Sequence, residues 1–126
     1  MIWLLLGCLG AAAIADLDAD GFSADVDCDD LDAAVNPDAA EVCNSVDDDC
    51  DGDIDGAATD ASAWFADFDA DSFGDAGETV VGCEVPLDYV ADATDCDDTT
   101  PLLNPGATEN CDNEIDENCD GDTACI

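Results

Sequence analysis

The chain has 126 residues, about one small domain, and carries 35 acidic residues against no Lys, Arg or His, a formal charge of −35. Without cations it cannot neutralise nucleic-acid phosphates or grip an anionic membrane surface, and without imidazole it has no histidine base or histidine metal ligand. Such a chain either recruits cations from solution or stays expanded by self-repulsion.

Residues 1–15 are apolar and uncharged, too few to span a bilayer as a helix. They read as a signal-like segment, with Ala13-Ile14-Ala15 as the small-x-small cleavage site before Asp16. A second reading is a lipoprotein signal, Leu5-Leu6-Gly7-Cys8, lipidated at Cys8. Either places the protein outside the cytoplasm, secreted or at the cell surface. Nine cysteines become eight once Cys8 is cleaved off or lipidated, and an even count at this density implies disulfides. The Cys-x2-Cys and His spacings of a zinc site are absent.

From Asp16 on, the chain repeats itself. Asp16-Leu-Asp-Ala-Asp-Gly-Phe22 matches Asp67-Phe-Asp-Ala-Asp-Ser-Phe73, and Asp27-Cys28-Asp29-Asp30 matches Asp95-Cys96-Asp97-Asp98. Asn36-Pro37 matches Asn104-Pro105, Glu41 and Cys43 match Glu109 and Cys111, and Cys50-Asp51-Gly52-Asp53 matches Cys119-Asp120-Gly121-Asp122. This gives a short acidic repeat at 16–56, a linker at 57–63 and a longer acidic repeat at 64–126, with an insertion holding Cys83, Pro86 and Tyr89. Of the acids, 29 are Asp and 6 are Glu, which favours turns over helices. Large apolar side chains are few, so no ordinary core forms and the fold needs staples. The expected fold is small, irregular, disulfide-rich and metal-stabilised. It is mostly loops and turns, with at most one or two helical turns (one at 60–66, capped by Asp60) and a short β-hairpin of 79–81 with 89–90. Trp64, Phe65, Phe68, Phe73 and Tyr89 are the expected core of the second repeat.

Asp16-x-Asp18-x-Asp20-Gly21 opens like a calcium loop. Calcium takes six to eight oxygens at about 2.3–2.6 Å, and alternate Asp residues on a tightly curled chain aim theirs at one centre. Phe22 offers a carbonyl at position seven and Asp27 an acid at position twelve. The second copy offers Asp67, Asp69 and Asp71, then Phe73, Asp75 and Glu78, with Ser72 in the glycine position. A second loop type is Asp47-x-Asp49-x-Asp51-Gly52 followed by Asp53 and Asp55, with its counterpart Asp116-x-Asn118-x-Asp120-Gly121-Asp122. Both lack a twelfth-position acid, and Glu41, Glu109 and the Asp-Cys-Asp-Asp acids are the available donors. Asp-x-Asp-x-Asp triplets arise by chance at this Asp frequency. Glycine at the sixth position and recurrence in register are what carry the signal. Pro86, Gly82 and the β-branched pairs oppose an exiting helix, so these are naked loops rather than EF-hands.

Taken together, Trp64-Phe65, Asp67-x-Asp69-x-Asp71-x-Phe73-Gly74, Cys83-x2-Pro86-x2-Tyr89-Val90, Asp95-Cys96-Asp97-Asp98, Asn104-Pro105-Gly106-Ala107-x-Glu109-x-Cys111 and Asp116-x-Asn118-Cys119-Asp120-Gly121 resemble the MopE-type metal-binding motif of exported bacterial surface proteins. The resemblance covers nearly all of the second repeat and, shortened, the first. It departs at Ser72, at Asp88 and in the segment the first repeat lacks. It implies an extracellular metal-binding repeat. The name-giving member is associated with copper through imidazole and a modified tryptophan, and a chain without His does not carry that over.

Spacing suggests Cys43–Cys50, Cys111–Cys119 and Cys83–Cys96 bridges; Cys28 and Cys125 then either cross-link the two repeats, the reading taken here, or stay as two free thiols. The paired carboxylates lack an apolar pocket to raise an acid, so the expectation is no enzyme. The expected function is metal binding, with calcium as the ion, by Asp-rich loops of an exported structural or surface protein. Its partners are metal ions and no nucleic acid, with a cell-surface or matrix partner unidentified. The alternative is an acidic disordered chain for solubility or mineral coating, without defined metal sites.

Overall fold

The computed structural model describes residues 14–124. Residues 1–13 of the leader reading, with Cys8, and Cys125 lie outside the described residues. Among the described residues, regular structure lies in the second repeat and the end of the preceding linker: β1 Ser62–Ala66, β2 Asp75–Gly82 and β3 Tyr89–Val90. All three are antiparallel in one sheet of order β2-β1-β3. No helix occurs among the described residues. The fold is therefore small, irregular and disulfide-rich.

Two expectations are corrected here. The segment 60–66 is not a helical turn but largely strand β1, and Asp60 accepts the Cys43 N–H at 2.8 Å instead of capping a helix. The strands at 79–81 and 89–90 do not pair with each other, because β1 lies between them, pairing Phe65 with both Thr79 and Val90. Trp64 and Phe65 favour the pleated half-buried surface, and the Trp64 indole donates to the Gly82 carbonyl at 3.0 Å. The 57–63 stretch is also fastened to the first repeat. Ala58 is buried, and the Thr59 N–H donates to the Glu41 carbonyl at 2.8 Å.

Among the described residues the hydrophobic core is minimal, consisting of Val35, Ala58 and Ala66. The aromatic residues are half-buried at best, and Phe68 is 65% exposed, correcting its placement in the core. At Gly74 an added Cβ would stand 2.6 Å from the Asp92 carbonyl oxygen and 2.8 Å from Phe65 Cβ. The chain crosses too closely there for any side chain, and the Gly74 carbonyl accepts the Asp95 N–H at 3.1 Å. That crossing brings the Asp95 segment beside the loop joining β1 and β2.

Disulfides do the work of a core. They join Cys28–Cys50, Cys43–Cys83 and Cys96–Cys119, and Cys111 is disulfide-bonded as well. All four pairings expected from spacing are corrected, including Cys28–Cys125, since Cys28 is taken by Cys50. The reason is local: Cys50 and Cys119 adopt positive φ (59° and 58°) at the fourth position of their Asp loops. This conformation accompanies a bridge to the Asp-Cys-Asp-Asp segment rather than to Cys43 or Cys111. The two repeats share this bridge, and Cys43–Cys83 ties the first repeat to the end of β2. Disulfides at this density indicate an oxidising or extracellular environment. No helix among the described residues is long and apolar enough to cross a membrane.

Candidate metal centre

Four Asp loops, beginning at Asp16, Asp47, Asp67 and Asp116, are wired alike. The first residue accepts backbone N–H groups across the loop. Asp16 Oδ2 takes Gly21 at 3.2 Å, Asp47 Oδ2 takes Gly52 at 3.0 Å, Asp67 Oδ2 takes Ser72 at 3.1 Å and Asp116 Oδ2 takes Gly121 at 2.8 Å. The third residue accepts from the fifth: Asp18 from Asp20, Asp49 from Asp51, Asp69 from Asp71 and Asn118 from Asp120. The fifth accepts from the seventh: Asp20 from Phe22, Asp51 from Asp53, Asp71 from Phe73 and Asp120 from Asp122. At the first position both carboxylate oxygens curl the backbone, whereas Asp18, Asp20 and Asp69 spend Oδ1 on the curl and keep Oδ2 free of any hydrogen-bond partner. The curl needs left-handed residues at the fourth position (Ala19, Cys50, Ala70, Cys119) and the sixth (Gly21, Gly52, Ser72, Gly121). Ser72 adopts φ 82° there, at a cost of about 1 kcal/mol relative to glycine.

The remaining oxygens converge. Carboxylates of Asp16, Asp18 and Asp30, of Asp18, Asp20 and Asp27, and of Glu41, Asp47 and Asp49 each lie within 4.8 Å of one another. Oδ2 of Asp18, Asp20, Asp27, Asp69 and Asp95 is closed off from solvent and has no hydrogen-bond partner. Burial raises the Asp18 carboxyl above its ordinary value, reinforced by the charges of Asp20, Asp27 and Asp16. Burial likewise raises Asp69, with Asp71, Asp95 and Asp98 adding to it, and raises Asp95, with Asp71 and Asp98 adding to it. A cluster of anions held together with no donor facing it fits a hard cation with oxygen ligands.

Glu41 is 4% exposed and serves the second loop type. Its Oε2 accepts the Asp48 and Asp49 N–H groups, and its Oε1 accepts that of Asp55. In the second repeat Glu109 Oε2 accepts the Glu117 N–H at 3.0 Å. Asp48 and its counterpart Glu117 play a different part, holding the preceding turn. Asp48 accepts from Val42 and Asn44, and Glu117 from Asn110 and Asn113. The Asn110 N–H and then the Asn113 amide hold the Glu117 carboxyl below its usual value.

The other residues expected at the sites stand as follows. Glu78 is exposed on β2, and the acids acting on Asp69 from beyond its loop are Asp95 and Asp98. Asp75 accepts the Gly77 N–H, Asp55 those of Asn44 and Ser45, and Asp122 that of Ala124. Asp53 is exposed. Asp30 and Asp98 are the acids a strict twelve-residue frame misses. Asp30 accepts the Leu17 N–H and Asp98 the Phe68 N–H, each fixing the second position of its loop. The signal for them was the Asp-Cys-Asp-Asp segment recurring in register with the loops.

A family model described as "putative metal-binding motif", named for copper binding in MopE, matches twice, over residues 27–56 and 95–124. No curated protein and no solved structure matches the chain. The two matched segments begin at Asp27 and Asp95 and span the shared disulfide and one Asp loop each. The chain thus carries two copies of the MopE-type putative metal-binding motif.

Proposed function

We propose that the protein is an exported calcium-binding structural protein whose Asp-rich loops order around the ion, and that its role is binding rather than catalysis. The observation that supports this most is the set of inward Oδ2 atoms without partners, on carboxylates that each already use Oδ1 to hold the loop. Carboxylates 4 Å apart repel by about 1 kcal/mol per pair even in water, and a dication reverses the sign. Binding energy then becomes folding energy. All-oxygen donor sets suit calcium, with its loose geometry, better than magnesium, which keeps its water, or copper, which favours imidazole and thiolate. The cysteines beside these acids are joined in disulfides and offer no thiolate. Export follows from the bridges together with the signal-like residues 1–15.

The test is compaction of the oxidised chain, followed by small-angle scattering and circular dichroism, as calcium, magnesium or copper is added to chelator-treated protein. Ordering at micromolar to millimolar calcium, weaker with magnesium and copper, supports the reading. Equal compactness in chelator and in calcium overturns it. A response to copper alone transfers the function to copper.

A further inference from the structure

Asp27 opens the family motif, yet its carboxylate serves residues that lie before it. It is 8% exposed, its Oδ1 accepts the Asp29 N–H at 2.9 Å, and its Oδ2 is closed to solvent with no partner. It groups with the carboxylates of Asp18 and Asp20, one oxygen of each lying within 4.8 Å of the others, and each of those two has an Oδ2 in the same condition. A buried anion without a donor is strongly destabilising, and here three of them share one space. No Lys, Arg or His exists anywhere in the chain to offset them. The neutralising charge must come from solution.

We propose that each repeat holds a second cation centre at the upstream edge of the matched motif, formed by its first Asp loop and closed by the Asp-Cys-Asp-Asp segment. In the first repeat Asp18 and Asp20 come from the loop, Asp27 is the buried closing ligand and Asp30 completes it on the side of Asp16. In the second repeat Asp95 and Asp98 replace Asp27 and Asp30, and Asp69 and Asp95 again carry the closed-off Oδ2. The ligand class is a hard dication of calcium size, so the inference rests on the calcium reading above. It adds that the closing acid comes from the next segment of the chain. The twelfth position of the loop does not supply it in the second repeat, where Glu78 is exposed on β2.

Calorimetric titration of the oxidised full chain with calcium tests this. Asp27→Asn keeps the oxygen that accepts the Asp29 N–H while removing the charge. It is expected to remove one calcium step, or weaken it at least about tenfold, and to leave the other steps within about twofold. Asp95→Asn is expected to do the same for a different step, and the double variant to lose both. Asp18→Asn, which leaves the disulfide-bearing segment untouched, is expected to reproduce the Asp27→Asn loss and guards against a folding defect. Full stoichiometry and affinity in Asp27→Asn and Asp18→Asn would overturn the upstream centre while leaving calcium binding at the other loops standing. A wild-type chain that takes up no calcium overturns both readings.

Discussion

Cys28 and Cys50 join the Asp27–Asp30 segment to the Asp47–Gly52 loop with one covalent bond. Cys28 follows the buried Asp27, and Cys50 is the fourth residue of the Asp47–Gly52 loop, flanked by Asp49 and Asp51. The Cys28 N–H also donates to Cys50 Sγ at 3.1 Å. Cys96 and Cys119 repeat the arrangement between Asp95 and the Asp116–Gly121 loop.

The pair Cys28→Ser/Cys50→Ser is therefore expected to weaken calcium binding at both loops of the first repeat and spare the second. Loss of the bridge is expected to cost about 2–4 kcal/mol of stability. Calcium titration of this variant checks the first expectation, and denaturant melts in saturating calcium check the second. Loss at one loop only would show that the two bind independently.

Ser72→Gly is expected to stabilise the chain by about 1 kcal/mol, because the left-handed backbone at this position strains any side chain. The gain is read as a higher melting midpoint. Gly74→Ala is expected to do the opposite and more strongly, since its methyl group would meet the Asp92 carbonyl and Phe65.

Glu41→Gln replaces one acceptor oxygen by an amide that cannot accept. One of the backbone N–H groups now bound by Oε1 or Oε2 loses its partner, at an expected cost of about 1–3 kcal/mol. Chemical denaturation in calcium measures it. Asp53→Asn, at an exposed site, is the control expected to change little.

The pH response is expected to change sign with calcium. Burial holds Asp18, Asp69 and Asp95 above their unfolded values. In chelator these three carboxyls add stability as the pH falls through their raised folded values. The contribution is complete below the unfolded value and is lost again as pH rises. Glu117 works the other way, since its lowered carboxyl stabilises above its unfolded value and ceases to do so as acid reaches its folded value. In calcium the three aspartates must release protons to bind, so acid weakens the complex. Thermal melts between pH 7 and 4, with chelator and with calcium, are expected to slope in opposite directions. Parallel slopes would show that the raised aspartates do not bind the ion.

The Asp loops were legible in the sequence because their spacing is local. A carboxylate two residues before an N–H finds it whatever the rest of the chain does, as Asp18, Asp49 and Asp69 show. The disulfide partners were not legible, because eight cysteines allow many pairings and the choice depends on where Cys50 and Cys119 turn on a positive φ. Nor was β1, whose Trp64 and Phe65 sit in a five-residue strand with too little alternation to separate it from a helical turn. Asp30 and Asp98 are among the Asp-Cys-Asp-Asp donors expected for the second loop type, whereas the structure sets them against the first. Each binds a loop residue far away in sequence, and only the recurrence of their segment hinted at it.

The Cys43–Cys83 bond spans 40 residues and encloses the junction between the repeats. A pull applied at its two ends runs through the sulfurs, and the polypeptide between them carries no load. A protease that cuts once within that span leaves the two pieces still attached. The joint between the two repeats is thus guarded against tearing and nicking until a reductant opens it.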